Sequence, residues 1–255
     1  MSHLPLHKQP LTWINPYIGR SRDLKDRIIV NSSGEIEQSD RDALPRVMNH
    51  YENLVVELGS GSGQHLISLG ARYPNSCIVG FELRYKRAVR TIEKSIKCGV
   101  ENVFVARASA LNLSKLVPAG TVSQLYVNFP DPWSDKRRWK KHRLLNDETL
   151  SMIATCLAPD GIFRYKTDHR DSFDDVVQRL KAHQDYTIYG ITLDLHHSPF
   201  LQDNLLTEFE EMFRAQGLPI YFVEARTSPQ CSRISVPGSE INVLANKVLA
   251  NKVLA

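Results

Sequence analysis

Two stretches of this 255-residue chain carry the side chains best suited to chemistry. In "ELGSGSGQHL" (57–66) the acid Glu57 stands just ahead of glycines 59, 61 and 63. Glycines so spaced let a backbone turn tightly and approach a ligand with no Cβ in the way. Glu82 lies 19 residues beyond Gly63. A carboxylate at that distance can accept hydrogen bonds from both hydroxyls of a ribose. A dinucleotide fingerprint needs G-x-G-x-x-G, but Gln64 stands where the last glycine belongs. Glu57 would also repel a diphosphate, and it suits a ligand bearing an ammonium or a sulfonium. The pattern therefore points to S-adenosylmethionine and away from NAD. The plainer alternative is a glycine-rich turn with no ligand.

The second stretch is "NFPDPWSDKRRWKKHR" (128–143), in which prolines flank Asp131. They restrict φ at 130 and 132 and bias residues 129 and 131 towards extended backbone, which would hold the carboxylate in place. Six Lys/Arg and one His then fall within residues 136–143. Lys136, Arg137, Arg138, Lys140, Lys141 and Arg143 could contact phosphates of a polyanion. A solvated basic face is the competing reading. Trp133 or Trp139 could stack on a base or pack beneath the loop. Ser109 could supply a third polar contact, to an adenine edge, or be an ordinary loop serine.

The elements that must position these residues follow from hydrophobic pattern. "LVVEL" (54–58), "CIVGFEL" (77–83), "NVFVARA" (102–108), "SQLYVNF" (123–129) and "GIFRYKT" (161–167) read as strands. Between them, helices are expected from about Gly63, over 85–98 burying Ala88, Val89, Ile92 and Ile96, and through Leu150, Ile153, Ala154 and Leu157 as far as Pro159–Gly161. Phe173, Val176, Val177 and Leu180 repeat the helical spacing, and "PIYFVEA" (219–225) is a further strand after irregular sequence at 193–206. Strand–helix alternation gives a doubly wound, mostly parallel α/β sheet. Its ligands bind beyond the carboxyl ends of the strands, where both stretches lie. Residues 1–50 read as an extended or partly disordered arm with at most a short helix near 40–50. Residues 51–226 read as the catalytic domain. Residues 227–255, ending in the repeat "VLANKVLANKVLA", read as a low-complexity tail.

Composition narrows the class further. Net charge is only +4, so the clustering of the positive charge matters more than its sum. Cys77, Cys98, Cys156 and Cys231 form no CxxC, which argues for free thiols in a reducing compartment. No apolar run of signal-peptide or membrane-span length occurs, and a cytoplasmic protein without membrane association is expected. His65, His196 and His197 lack metal-ligand spacing and read as satisfied or solvent-facing histidines, with no metal site.

"FPDPW" with its basic run, "ELGSGSG" and "FEL" upstream, and "KTDH" (166–169) and "TEFE" (207–210) downstream together resemble the tRNA (guanine-N7-)-methyltransferase family in its bacterial single-chain form. The likeness covers about residues 50–225. It implies a seven-stranded, Rossmann-like class I methyltransferase sheet. It also implies methyl transfer from S-adenosylmethionine to N7 of a guanosine in the tRNA variable loop. By the same resemblance Glu57, Gly59, Gly61, Glu82, Ser109 and Asp131 line the cofactor site, with Asp131 at the transferred group. Lys136, Asp168, Thr207 and Glu210 meet the substrate. tRNA is then the partner, with no obligatory protein partner and a monomer or homodimer as the working form. Asp135 stands where the family usually has lysine, Arg138 where a histidine is common, and Ser109 where Asp or Asn is usual. These departures bear on substrate contact and cofactor affinity and leave the reaction class in place. The competing readings are a small-molecule methyltransferase with an incidental basic strip, and a tRNA-binding homologue with reduced catalysis.

Overall fold

The structure, a computed structural model, describes residues 15–30, 36–133 and 143–227. Their helices are α1 (Pro16–Asp23), α2 (Gln38–Met48), α3 (Gln64–Arg72), α4 (Tyr85–Lys97), α5 (Leu113–Leu116), α6 (Asp147–Cys156), α7 (Arg170–Ala182) and α8 (Glu208–Ala215). The strands are β1 (Ile28–Val30), β2 (Asn53–Leu58), β3 (Ser76–Phe81), β4 (Val103–Ala106), β5 (Val122–Asn128), β6 (Leu157–Thr167), β7 (Tyr186–Thr192) and β8 (Tyr221–Thr227). Among the described residues these eight form one sheet in the order β1-β4-β3-β2-β5-β6-β8-β7. β8 runs antiparallel to both its neighbours, and the other pairings are parallel.

β3 and β4 are buried at every position because helices cover both faces of the sheet. Alternate residues of β2 accordingly feed two cores. Leu54, Val56 and Leu58 join Val79, Leu125 and Phe163 on one face, while Val55 meets Leu66, Ile78 and Val89 on the other. Chain order turns at β2: β3 and β4 lie to one side of it, β5 and β6 to the other. That switch point opens a crevice between the carboxyl ends of β2 and β5.

The doubly wound expectation holds, and the structure adds to it. The eighth strand comes from the N-terminal segment, expected to be mostly extended. Val105 N donates to Arg27 O at 2.9 Å and Arg107 N to Val30 O at 2.8 Å. The Arg27 side chain caps the far end of β4 through the carbonyls of Val103 and Val100. A register shift within β1 sends Ile28 and Val30 into opposite cores. Pro159–Gly161 do not terminate α6; they lie inside β6, into which α6 runs directly. A Cβ at Gly161 would stand 2.7 Å from Ala158 O, so the distorted start of β6 requires glycine there. Ile96 is 54% exposed, and Ser95 takes the inward position, where it receives a bond from Arg27 and donates to Val100 O.

Candidate active site

A cleft of about 460 Å³ occupies the switch point, and Glu57, Gly59, Gly61, Glu82, Asp131 and Thr207 are all on its walls. The loop after β2 carries φ of +77° at Gly59, +57° at Gly61 and +79° at Gly63, a region that residues with a Cβ avoid. A Cβ at Gly63 would also meet Thr91 Cγ2 at 2.3 Å, so this glycine serves close packing of α3 on α4. At Gly59 and Gly61 the Cβ direction is open, and these two leave space for a ligand.

Glu82 ties that loop to the end of β3. Its Oε2 accepts from Gly61 N at 3.1 Å and its Oε1 from Arg84 N at 2.8 Å. Each oxygen keeps a further acceptor site. Glu57 is buried, and its Oε1 accepts from Asn128 Nδ2 at 2.8 Å, with His65 Nδ1 at 3.0 Å. The consistent tautomer of His65 carries its proton on Nδ1, since a bare nitrogen there would face the carboxylate lone pair. Glu57 Oε2 has no hydrogen-bond partner among the described residues. A buried carboxylate oxygen without a donor is costly unless a ligand donor meets it. An ammonium group is the donor its charge favours. The open glycine turn, the acceptor sites of Glu82 and the unpartnered oxygen of Glu57 fit S-adenosylmethionine. Of the two sequence readings of His65, satisfied or solvent-facing, the first fits: it is buried, with Nδ1 against this carboxylate.

Asp131 is exposed at the opposite wall. The extended backbone expected at 129 is not what forms. Phe129 has φ +49° and Trp133 +44°, so left-handed residues bracket Pro-Asp-Pro. Proline at 130 disfavours the right-handed helical region for Phe129, and its ring packs on Phe213 and Phe209 with centroids 5.5 and 6.3 Å apart. Trp133 also lines the cleft, 42% exposed.

The substrate-side residues divide. Thr207 is on the cleft wall and caps α8, its Oγ1 accepting from Glu210 N at 3.0 Å. Asp168 follows β6 on the same sheet edge, half-buried and outside the cleft lining. Ser109 likewise stands outside the lining; its Oγ accepts from Leu111 N at 3.3 Å and caps the turn after β4. Glu210, expected at the substrate, is 0% exposed. Its Oε2 accepts from Lys166 Nζ at 2.7 Å and its Oε1 from Asn204 Nδ2 at 2.6 Å. Lys166 is 3% exposed, and burial lowers its pKa while Glu210 acts in the opposite sense. An unflanked lysine near the end of an apolar strand signals such a partner, though not which one.

Lys136 and the rest of the basic run to residue 142 lie outside the described residues, as do Trp139 and Asp135. Arg143, expected to contact phosphates, does not face solvent. It is 5% exposed, donating to Pro132 O at 2.8 Å and to Asp171 and Asp175 at 2.7 and 3.3 Å. It ties the backbone at Pro132 to α7. Cys77, Cys98 and Cys156 are unpaired thiols, and burial pushes Cys77 and Cys156 up to about 12, leaving them neutral.

The sheet order and the cleft at its switch point define a Rossmann-like class I methyltransferase. Solved structures agree on the fold: 16S rRNA methyltransferase KamB superposes with TM-score 0.57 at 17% identity, covering 80% of this chain and 99% of that one. A 16S rRNA (adenine(1408)-N(1))-methyltransferase from Catenulisporales acidiphilia, solved with its cosubstrate S-adenosylmethionine, gives 0.51 at 13% identity, covering 80% and 96%. Residues 51–223 match the family model described as "Putative methyltransferase". The tRNA (guanine-N(7)-)-methyltransferases of Geobacillus kaustophilus and Lachnoclostridium phytofermentans are each 34% identical to this chain. The first match covers 73% of this chain and 84% of that protein, the second 65% and 77%. A bifunctional glycosyltransferase/methyltransferase of Fusobacterium nucleatum is 29% identical over 78% of this chain, which spans only 30% of that larger protein. The chain belongs to the tRNA (guanine-N7-)-methyltransferase family.

Proposed function

We infer that this chain methylates N7 of a guanosine in the variable loop of tRNA, using S-adenosylmethionine. The observation that carries the reading is the meeting, in one cleft, of the glycine loop, Glu57 and Glu82 with the Asp131 loop. Glu82 suits the ribose hydroxyls, and the unpartnered oxygen of Glu57 the ammonium of the amino-acid portion. Gly59 and Gly61 admit the ligand close to the backbone. When bound, S-adenosylmethionine supplies an electrophilic methyl group on a positively charged sulfur.

Guanine N7 carries a free lone pair at neutral pH, so no residue of the chain has to remove a proton before attack. The protein's tasks are alignment and exclusion of water. The Asp131 carboxylate, on the cleft wall, faces the positive charge that develops on the purine and stabilises it. Asp168 suits the guanine N1–H and exocyclic amine, and Thr207 the substrate side of the cleft. Lys136 and the adjoining basic run suit the flanking phosphates. Ser109 serves the adenine edge only if the turn it caps opens. The same reading takes the chain to work in the cytoplasm, as monomer or homodimer, without an obligatory protein partner. No described helix is long and apolar enough to cross a membrane.

Incubation with radiolabelled S-adenosylmethionine and bulk tRNA tests the activity. The expected product in a nuclease digest is labelled 7-methylguanosine. Label on small molecules alone, or on no RNA nucleoside, would remove the reading.

A further inference from the structure

"TEFE" has the T-x-x-E pattern of a capping box, in which the glutamate reaches back to the cap residue's own N–H. Only half of the box forms here. Thr207 Oγ1 receives the Glu210 N–H, but the Glu210 carboxylate turns inward to Lys166 and Asn204. Lys166 in turn directs every bond of its ammonium at one segment: Asn204 Oδ1 at 3.0 Å, Leu205 O at 2.9 Å and Glu210 Oε2 at 2.7 Å. Three donors meet three acceptors, so the group is saturated. Thr207 lies between the clamped positions and is the point at which this segment enters the cleft wall.

The backbone of the same lysine holds the other wall. Phe129 N donates to Lys166 O at 2.8 Å, just where the chain leaves β5 for Asp131. One residue of β6 therefore fixes both the departure of the Asp131 loop and the approach of α8. A Glu210 that turned out to a purine would leave the Lys166 ammonium buried and unpaired, a costly state.

We propose that Lys166 and Glu210 are a positioning pair which sets the spacing between the Asp131 loop and Thr207, and that Glu210 serves the substrate only through this clamp. The proposal rests on the tRNA methyltransferase reading above.

A double-mutant cycle on the full chain tests it, with kcat and KM for tRNA, the Kd for S-adenosylmethionine and Tm measured for each variant. Lys166→Met and Glu210→Leu each strand a buried charge or its partners, and each should lower kcat/KM for tRNA by roughly 100-fold. Combined, they leave no stranded charge, although Asn204, Leu205 O and His196 still lose a partner, and activity should recover about tenfold over either single variant. The cofactor Kd of the double variant should stay within about threefold, since Glu57 and Glu82 are untouched. A folded double variant with normal cofactor affinity but activity as low as Glu210→Leu alone would overturn the proposal, because the carboxylate would then act on substrate itself. Glu210→Gln decides the matter if the other variants do not fold. Its amide keeps the shape and can still accept from Lys166, so a loss within about fivefold is expected. A loss of roughly 100-fold at unchanged Tm would mean that the charge is needed at the substrate. Wild-type protein that leaves tRNA unlabelled would overturn the underlying reading and the proposal together. A labelling wild type with a dead double variant would overturn the proposal alone.

Discussion

Asp131 is held by its neighbours' backbone more than by bonds of its own, with Phe129 and Trp133 in left-handed conformations on either side of the two prolines. Strain of this kind persists where surrounding packing over-determines it, and here the Phe129 ring is pinned by α8. Because Asp131 is exposed, Asp131→Ala should leave Tm unchanged within about 2 °C. Methyl transfer should fall by about 100-fold, the size of loss that follows removal of one charge-stabilising group. Near-normal turnover in a steady-state assay would reduce Asp131 to a turn residue. The cleft positions of Gly59, Gly61, Glu82 and Asp131 were legible in the sequence because each follows an apolar strand, and that of Glu57 because it stands at the end of one. Lys166 and His65 were not. Their partners, Glu210 and Glu57, become neighbours only through the fold.

Among elements, the strands β2 to β5 could be read directly because burial on both faces writes apolar runs, and helices α3, α4, α6 and α7 because one buried face writes a helical spacing. β6 was legible only from Gly161 onward. β7 was not, because an edge strand with exposed Tyr189 and Ile191 shows little pattern. In α8 the spacing of Thr207 and Glu210 fits both a capping signal and the family's substrate contact, and only the fold separates the two. The turn at 195–197 links this helix to pH. His196 Nε2 lies 3.1 Å from Glu210 Oε1. Burial lowers the His196 pKa below its ordinary 6.5, aided by Arg214 and Lys166 and opposed by Glu210 and Asp194. The unfolded chain therefore takes up this proton more readily than the native one. The contribution to stability is intact above about pH 6.5 and is lost as pH falls through that value towards the native pKa. Asp194, held below 3.8 mainly by its hydrogen bond with His197, keeps its own contribution to far lower pH. Urea midpoints measured from about pH 8 to about pH 5 should fall in wild type and fall less in His196→Gln. Equal slopes would show that His196 does not carry the effect.

For the molecule as a whole, a net charge of +4 gives little general attraction to RNA, so affinity must come from where the charge is placed. Removing Lys140 and Lys141 together should lower the log–log salt slope of tRNA binding by about 1.5 to 2. An unchanged slope in a filter-binding titration would mean that these side chains face solvent. Arg143, which belongs to the same run in sequence, should contribute nothing to that slope, because Asp171 and Asp175 already hold it. The position of β8 has a consequence for synthesis. It is the last described strand in the chain, yet it sits inside the sheet between β6 and β7. On a translating ribosome β6 keeps an open edge, and β7 waits with no strand to pair with, until residue 227 has emerged. The sheet closes in one late step, and a nascent chain released before it would expose the kind of unpaired edge that recruits other strands.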